Sequence, residues 1–472
     1  MMLRKSLSFC WLALFTCNVS ATAANNIQPN YENLPSQITQ FVQEKFPNAQ
    51  VGIVIQSAKT GDILYQQQAD QYFYPASNTK LFLAAAALKT LGESYRFQTR
   101  LLNDEKSLYV QFRGDPTLRM EDLNQLIAKL KENKIDTIYG DVIIDDHTFS
   151  GPVYSQGWTW DSLPWYYSAP ISSIIINENK TQVKIQETKT LKEAVHFEAA
   201  NSFPSLKIKA NVMGVNKATA DAHCQLNVYQ NANEVDISGC WSIEKTPLTL
   251  ELSLQDTRLL AKQAIQHALE TNKIDLKGDI HFGKITENAK VIAVHASQPL
   301  SQLLKPVLSD SNNIVSDAIT KTLGLARSNQ GSFQEGVNAI KATLSESFNL
   351  PAEQYRLFDG SGVSRYTLIS PVFISELLYQ MQKDPTFSTF QNALSHSAES
   401  GSLAFRMKEP ALKNKIAAKT GTAMGTSALS GYLQAKSGQK YIFSIIINQS
   451  LEKSENLKLA EDKLCELLFE TL

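Results

Sequence analysis

The chain has 472 residues, 45 Lys plus Arg against 46 Asp plus Glu, and a formal net charge of −1. That length gives room for two or three domains, each with its own core. The balanced charge argues against a nucleic-acid-binding face or a polybasic membrane patch.

The N-terminus reads as an export signal over residues 1–23. Arg4 and Lys5 precede an apolar run from Leu7 to Phe15, and Ala21-Thr22-Ala23 offers a small-x-small cleavage site. The run is too short to span a bilayer comfortably, and no later segment is long and apolar enough to serve as a transmembrane anchor. Thr16 before Cys17 suits a lipoprotein signal poorly. Export implies a periplasmic protein, in which disulfides are stable.

In chain order, residues 51–57 alternate as a strand, Lys59-Thr60-Gly61-Asp62 reads as a turn, and Ile63-Leu64-Tyr65 opens a second strand. Next comes Pro75-Ala76-Ser77-Asn78-Thr79-Lys80, followed by an Ala/Leu-rich run to Lys89 that lacks Gly and Pro. Such a run predicts a helix that stops at Gly92. The i, i+3 spacing then sets Ser77 and Lys80 on one face of the first turn, a nucleophile beside its own base. Ser-x-x-Lys alone is weak, because a chain this long holds about two by chance. Ser242/Lys245, Ser437/Lys440 and Ser450/Lys453 fit the pattern too, but none opens an apolar helix.

From about 95 to 285 strands dominate, at 107–112, 141–144, 181–185, 207–210, 226–229 and 248–254, with helices at 120–131 and 256–270. Cys224 and Cys240 flank two alternating strands around Asn231-Ala232-Asn233. Folding that hairpin about Ala232 sets the two cysteines opposite each other, within reach of a disulfide. From about 290 helices return, at 301–308, 314–324, 333–348 and 370–381. Strands at 430–434 and 441–448 close the fold. Residues 455–472 carry Leu457, Ala460, Leu464, Leu467 and Leu468 on one face, as a core-packed helix does. Cys465 there reads as a buried free thiol. The seven histidines lack ligand spacing, so the sequence calls for no metal and no cofactor.

Two more polar elements complete a site. Ser311-Asn312-Asn313 lies between two predicted helices. Ser311 can relay a proton between Lys80 and a leaving amine, and the Asn313 amide can hold a substrate peptide group. A helix cap at Asp310 or Ser311 is the structural alternative. Lys419-Thr420-Gly421-Thr422 suits a strand lining a cleft. Lys419 would supply a fixed charge for a carboxylate and repel a proton from Lys80, Thr420 and Thr422 would bind the same carboxylate, and Gly421 would admit a substrate backbone. The backbone N–H groups of Ser77 and Thr422 are oxyanion-hole candidates. Lys59-Thr60-Gly61 has the same look but reads as a hairpin turn.

Ser-x-x-Lys, Ser-x-Asn and Lys-Thr-Gly in this order mark the penicillin-binding proteins and class A β-lactamases. The chain resembles the class C low-molecular-mass penicillin-binding proteins, the D-alanyl-D-alanine carboxypeptidase/endopeptidases of the DacB type. Pro75 to Leu81 resembles the nucleophile box. Gly114-Asp115-Pro116-Thr117-Leu118, Gly140-Asp141-Val142, Ser168-Ala169-Pro170 and Asn177-Glu178-Asn179 resemble the signatures of the inserted domains. Asp359-Gly360-Ser361-Gly362-Val363-Ser364-Arg365 and Ala418 to Thr422 resemble the later boxes. The resemblance implies a multidomain α/β fold: a penicillin-recognising serine-transferase-like domain (an antiparallel sheet flanked by helices) with two β-rich inserted domains. The expected division is 24–94 with 286–472 for the catalytic domain, 95–170 with 246–285 for one insert, and 171–245 for the other. It also implies peptidoglycan stem peptides as substrates, β-lactam antibiotics as inhibitors, and Arg365 near the pocket for the peptide side chain. Ser162 stands where the family often has an acidic residue for the amino group of diaminopimelate, with Asp161 beside it. A β-lactamase and a catalytically silent muropeptide-binding protein are the alternatives, separable by penicillin turnover and by release of D-Ala.

Overall fold

The computed structural model describes residues 33–185, 197–199, 206–245 and 248–472. The expected signal segment lies outside them. Among the described residues, no helix is long and apolar enough to cross a membrane.

Both ends of the chain build one six-stranded antiparallel sheet. Its order is Ser395–His396, Ile416–Ala423, Thr426–Gln434, Lys440–Asn448, Gln50–Ser57, Ile63–Gln67. The first long strand pairs with the last, Gln50 opposite Asn448 and Ser57 opposite Tyr441. Helices cover both faces, which is why Tyr441 to Ile447 is apolar at every position but Ser444. On one face, Ile442, Ile446, Ala428 and Tyr432 pack against helices that include Thr79–Thr90 and Asn313–Ser328. On the other, Ile53, Phe443 and Ile445 pack against the first helix, Leu34–Lys45, and the last, Ser454–Thr471. Leu457, Leu464 and Leu468 are buried there, and Cys465 is a buried free thiol, as the spacing predicts.

Helix Thr79–Thr90 is buried on every side from Thr79 to Leu88. That explains its Ala/Leu composition without a polar stripe, since a helix hydrophobic all round belongs to a core. Gly92, at φ 78°, follows its end.

The chain between these two parts forms a second core around a five-stranded sheet. The order is Ile280–Phe282, Val142–Asp145, Leu108–Gln111, Gln98–Asn103, Lys290–Ala296. Helices Met120–Glu132 and Thr257–Thr271 pack on it. Lys290–Ala296 pairs with Gln98–Asn103, so this sheet runs past the boundary expected at 285. Two three-stranded sheets lie beyond, one holding Lys207–Val215, Leu226–Asn231 and Glu234–Ser242.

Cys224 and Cys240 are bonded, with Cα atoms 5.4 Å apart. The hairpin register differs by one from the expectation. Asn231 faces Glu234 and Leu226 faces Gly239, so the turn has two central residues, Ala232 and Asn233, with Ala232 at φ 50°. Gln225 therefore stands level with Cys240, and Cys224 reaches the bond from the end of the short helix Lys217–His223. Gly239, at φ 105°, makes room: a Cβ there would lie 2.0 Å from the Gln225 carbonyl oxygen.

Candidate active site

Ser77 sits in a 3-10 turn, Ala76–Asn78, that feeds directly into helix Thr79–Thr90. The turn is held sharply. Ala76 has φ 46°, and Thr79 Oγ1 donates to its carbonyl at 2.8 Å. Gly362 rests on the same carbonyl, where a Cβ would come within 2.0 Å. Asn78 is buried and donates to Ser430 Oγ at 2.8 Å, tying the turn to the sheet.

Lys80 is 0 % exposed. Its Nζ donates to Ser77 Oγ at 2.9 Å, to Asn313 Oδ1 at 2.7 Å and to the Ser361 carbonyl at 2.6 Å. Burial pushes its pKa down from 10.5 to about 8, against the opposing pull of Asp317 and Asp359. A lysine poised near neutrality is what a base for a serine hydroxyl requires.

Ser311 and Asn313 come together as the sequence predicts. The cap of helix Asn313–Ser328 is Asn312, whose Oδ1 accepts from Val315 N at 3.0 Å. With capping done by Asn312, the Ser311 hydroxyl accepts from Lys419 Nζ at 2.9 Å. Asn313 divides its amide: Oδ1 faces Lys80, and Nδ2 donates to the Tyr167 carbonyl at 2.8 Å.

Lys419, Thr420, Gly421 and Thr422 lie on strand Ile416–Ala423. Lys419 is fully buried, and its Nζ also donates to the Thr420 carbonyl at 2.9 Å. Burial pushes this lysine well below 10.5, and repulsion from Lys80 adds to the shift. Where the sequence suggested a fixed charge, burial disfavours the charged form. For Lys80 itself, burial is the first cause. The Thr420 hydroxyl is taken up by the protein, donating to Ser402 Oγ at 2.8 Å, while Thr422, two residues on, lines the cleft. The close approach at Gly421 is made by the protein itself: a Cβ would lie 2.7 Å from the Pro75 carbonyl oxygen.

Ser77, Ser311, Asn313 and Thr422 open onto one cleft of about 460 Å³. Arg365 lines its far wall, with its guanidinium 4.8 Å from the Tyr74 ring centroid. Asp161 and Ser162 face the same space. Ser162 Oγ donates to the Thr159 carbonyl at 2.7 Å, so Asp161 supplies the carboxylate on that side.

Two buried carboxylates beneath Lys80 escaped the sequence reading as site residues. Asp317 Oδ1 accepts from Gly360 N at 3.0 Å and Ser361 N at 3.1 Å. Asp359 accepts from Gly362 N, Ser364 N and Trp158 Nε1 at 2.7–2.8 Å. Together they fix the loop that turns the Ser361 carbonyl onto Lys80. Burial pushes both pKa values up. The signal for Asp317 was its i+4 offset from Asn313, which sets both on one helix face. Among the described residues, no group of three or more His, Cys, Asp or Glu side chains is placed to hold a metal ion.

A cleft serine beside a buried lysine at a helix start, with a second serine–lysine pair opposite, defines a serine hydrolase of the acyl-transfer type. The profile of the D-Ala-D-Ala carboxypeptidase 3 (S13) family matches residues 33–468. A D-alanyl-D-alanine carboxypeptidase of Actinomadura sp. (strain R39) is 31% identical over 421 residues, covering 84% of this chain and 77% of that one. The crystal structure of penicillin-binding protein 4 (DacB) from Haemophilus influenzae aligns with TM-score 0.83 at 26% identity, covering 92% of this chain and 99% of that one. A structure of the same Haemophilus protein complexed with a β-lactam aligns with TM-score 0.79 at 25% identity, over 93% and 99% of the two chains. The chain belongs to the D-Ala-D-Ala carboxypeptidase 3 (S13) family.

Proposed function

We propose that this enzyme is a D-Ala-D-Ala carboxypeptidase, and an endopeptidase on D-Ala-diamino-acid cross-links, acting on peptidoglycan stem peptides through a Ser77 acyl-enzyme. The carrying observation is the 2.9 Å contact between Lys80 Nζ and Ser77 Oγ, with the lysine pKa brought down to about 8. Neutral Lys80 takes the Ser77 proton as Ser77 Oγ attacks the penultimate D-Ala carbonyl carbon. The backbone N–H groups of Ser77 and Thr422 stabilise the resulting oxyanion. As the C–N bond breaks, the proton travels from Lys80 through Ser311 to the leaving amine. Water then attacks the ester and regenerates Ser77.

The substrate carboxylate goes to the Lys419 side of the cleft, where Ser311 and Thr422 offer hydroxyls. Arrival of that anion favours the charged form of Lys419, against the burial that disfavours it. Thr420 has a supporting part through Ser402. Asn313 holds the substrate amide in addition to Lys80. Arg365 and Asp161 carry opposite charges on the far wall, which suits a side chain bearing both an amine and a carboxylate. A β-lactam enters by the same attack and leaves slowly, because among the described residues that line the cleft the only carboxylate is Asp161, on the far wall.

The division into a catalytic domain and two inserts, export to the periplasm and loss of residues 1–23 belong to the same reading. The test is digestion of purified cross-linked muropeptides, with products identified by mass. Release of D-Ala and of un-cross-linked stems supports the proposal. Intact muropeptides overturn it.

A further inference from the structure

Helix Asn313–Ser328 carries a second buried lysine that the acyl-transfer chemistry leaves unused. Lys321 stands about two turns beyond Asn313 and is 1% exposed. Among the described residues, no carboxylate lies within ion-pair reach of its ammonium. Its Nζ donates instead to the carbonyls of Pro152 and Ile171, both at 2.9 Å, and more distantly to Ser150 at 3.4 Å. The Phe333 ring centroid lies 4.8 Å away and that of Phe149 5.8 Å. A buried ammonium is costly, and a packed Met or Leu fills such a space at lower cost where only volume is needed. The three carbonyls give the reason for a donor here.

Those carbonyls are the two ends of one segment, 150–171. Ile171 N donates to the Val153 carbonyl at 2.9 Å and closes it as a strap. Between its ends the strap crosses the active-site cleft, which Thr159, Asp161, Ser162, Tyr166 and Tyr167 line. Farther up the same helix, Asn313 bonds both the strap, at Tyr167, and Lys80. One rigid element thus holds the strap's ends, its far limb and the base.

We propose that Lys321 is a positioning residue that holds strap 150–171 as the selectivity wall for the substrate's stem peptide. The proposal takes the identity of that substrate from the carboxypeptidase reading. It concerns where the wall stands relative to Ser77, and leaves the chemistry at Ser77 unaltered.

The test compares wild type with Lys321→Met on three compounds: a stem peptide ending in D-Ala-D-Ala, benzylpenicillin, and 6-aminopenicillanic acid, which lacks a side chain to meet the strap. The expected result is a fall of about tenfold or more in kcat/KM for the peptide, mostly through KM, with acylation by 6-aminopenicillanic acid within about twofold of wild type. Hydrogen exchange should rise in 150–171 and stay unchanged in helix Thr79–Thr90. Lys321→Arg, which keeps the donors, should recover part of the loss. Equal KM values in wild type and Lys321→Met, or equal losses on all three compounds, overturn the proposal. If Lys321→Met does not fold, Lys321→Gln takes its place, and failure of every variant to fold assigns Lys321 to core stability and overturns the proposal. If wild type itself releases no D-Ala, the carboxypeptidase reading fails separately, and the benzylpenicillin to 6-aminopenicillanic acid ratio still decides the role of Lys321.

Discussion

Lys80 and Asn313 share a 2.7 Å hydrogen bond in which the asparagine oxygen accepts, while the nitrogen of the same amide donates to the Tyr167 carbonyl. The amide thus fixes its own orientation and offers Lys80 a neutral partner. Asn313→Asp puts a carboxylate in that place and favours the charged lysine. The rise of acylation with pH should move to higher pH in this variant, and acylation at pH 7 should fall. Stopped-flow acylation by a chromogenic β-lactam between pH 5 and 10 measures both.

The wild-type profile has a definite sign. Burial lowers the Lys80 pKa from 10.5 to about 8, so the base is protonated below that value and free above it. Acylation should rise about tenfold per pH unit on the acid side and level off above about 8. A rate flat from pH 5 to 9 contradicts a lysine base. Lys80→Ala should lose about 10²–10⁴-fold in acylation while keeping its fold, because Ala suits a helix interior.

Gly421 is set against the nucleophile turn. A Cβ there would meet the Pro75 carbonyl oxygen at 2.7 Å and Ala428 Cβ at 3.1 Å. Gly421→Ala should push the strand and the Ser77 turn apart, costing about 1–3 kcal/mol and more than tenfold in acylation. Thermal melts beside acylation rates test this. Equal losses on substrates of every size separate it from a selectivity effect.

The Cys224–Cys240 bond closes a short loop, the two cysteines being 16 positions apart in the chain. Cys224→Ser with Cys240→Ser should cost the small sheet about 3 kcal/mol, and proteolysis should then begin within 206–245. Acylation of Ser77 should stay at the wild-type rate, since the bond belongs to another sheet. Limited trypsin digestion with a parallel penicillin-labelling assay reads both.

Much of the fold was legible because its elements carry strong local patterns. The Ala/Leu run after Ser77, free of Gly and Pro, announced a helix, and the mostly apolar run from Tyr441 announced a closing strand. The alternation around Ala232 gave the hairpin, but a one-residue difference in turn length moved the register, which strand pattern alone does not fix. Lys290–Ala296 went unread: it is an edge strand with no buried residue, so no clean inside–outside pattern marks it.

The site was legible where chemistry has a linear signature: Ser77 with Lys80, Ser311 with Asn313, and Lys419 to Thr422. Asp317 and Lys321 were invisible for a physical reason. Charged residues at helical spacing ordinarily mark a solvent face, and here they lie in a core. Only their tertiary partners, the Gly360–Ser361 amides and the strap carbonyls, show why.

The most direct test of the central claim is intact-mass measurement after incubation with benzylpenicillin, followed by peptide mapping. The account predicts one penicilloyl adduct per chain, on the peptide containing Ser77, and none on Ser77→Ala. An unmodified wild-type protein, or an adduct that persists in Ser77→Ala, would contradict it.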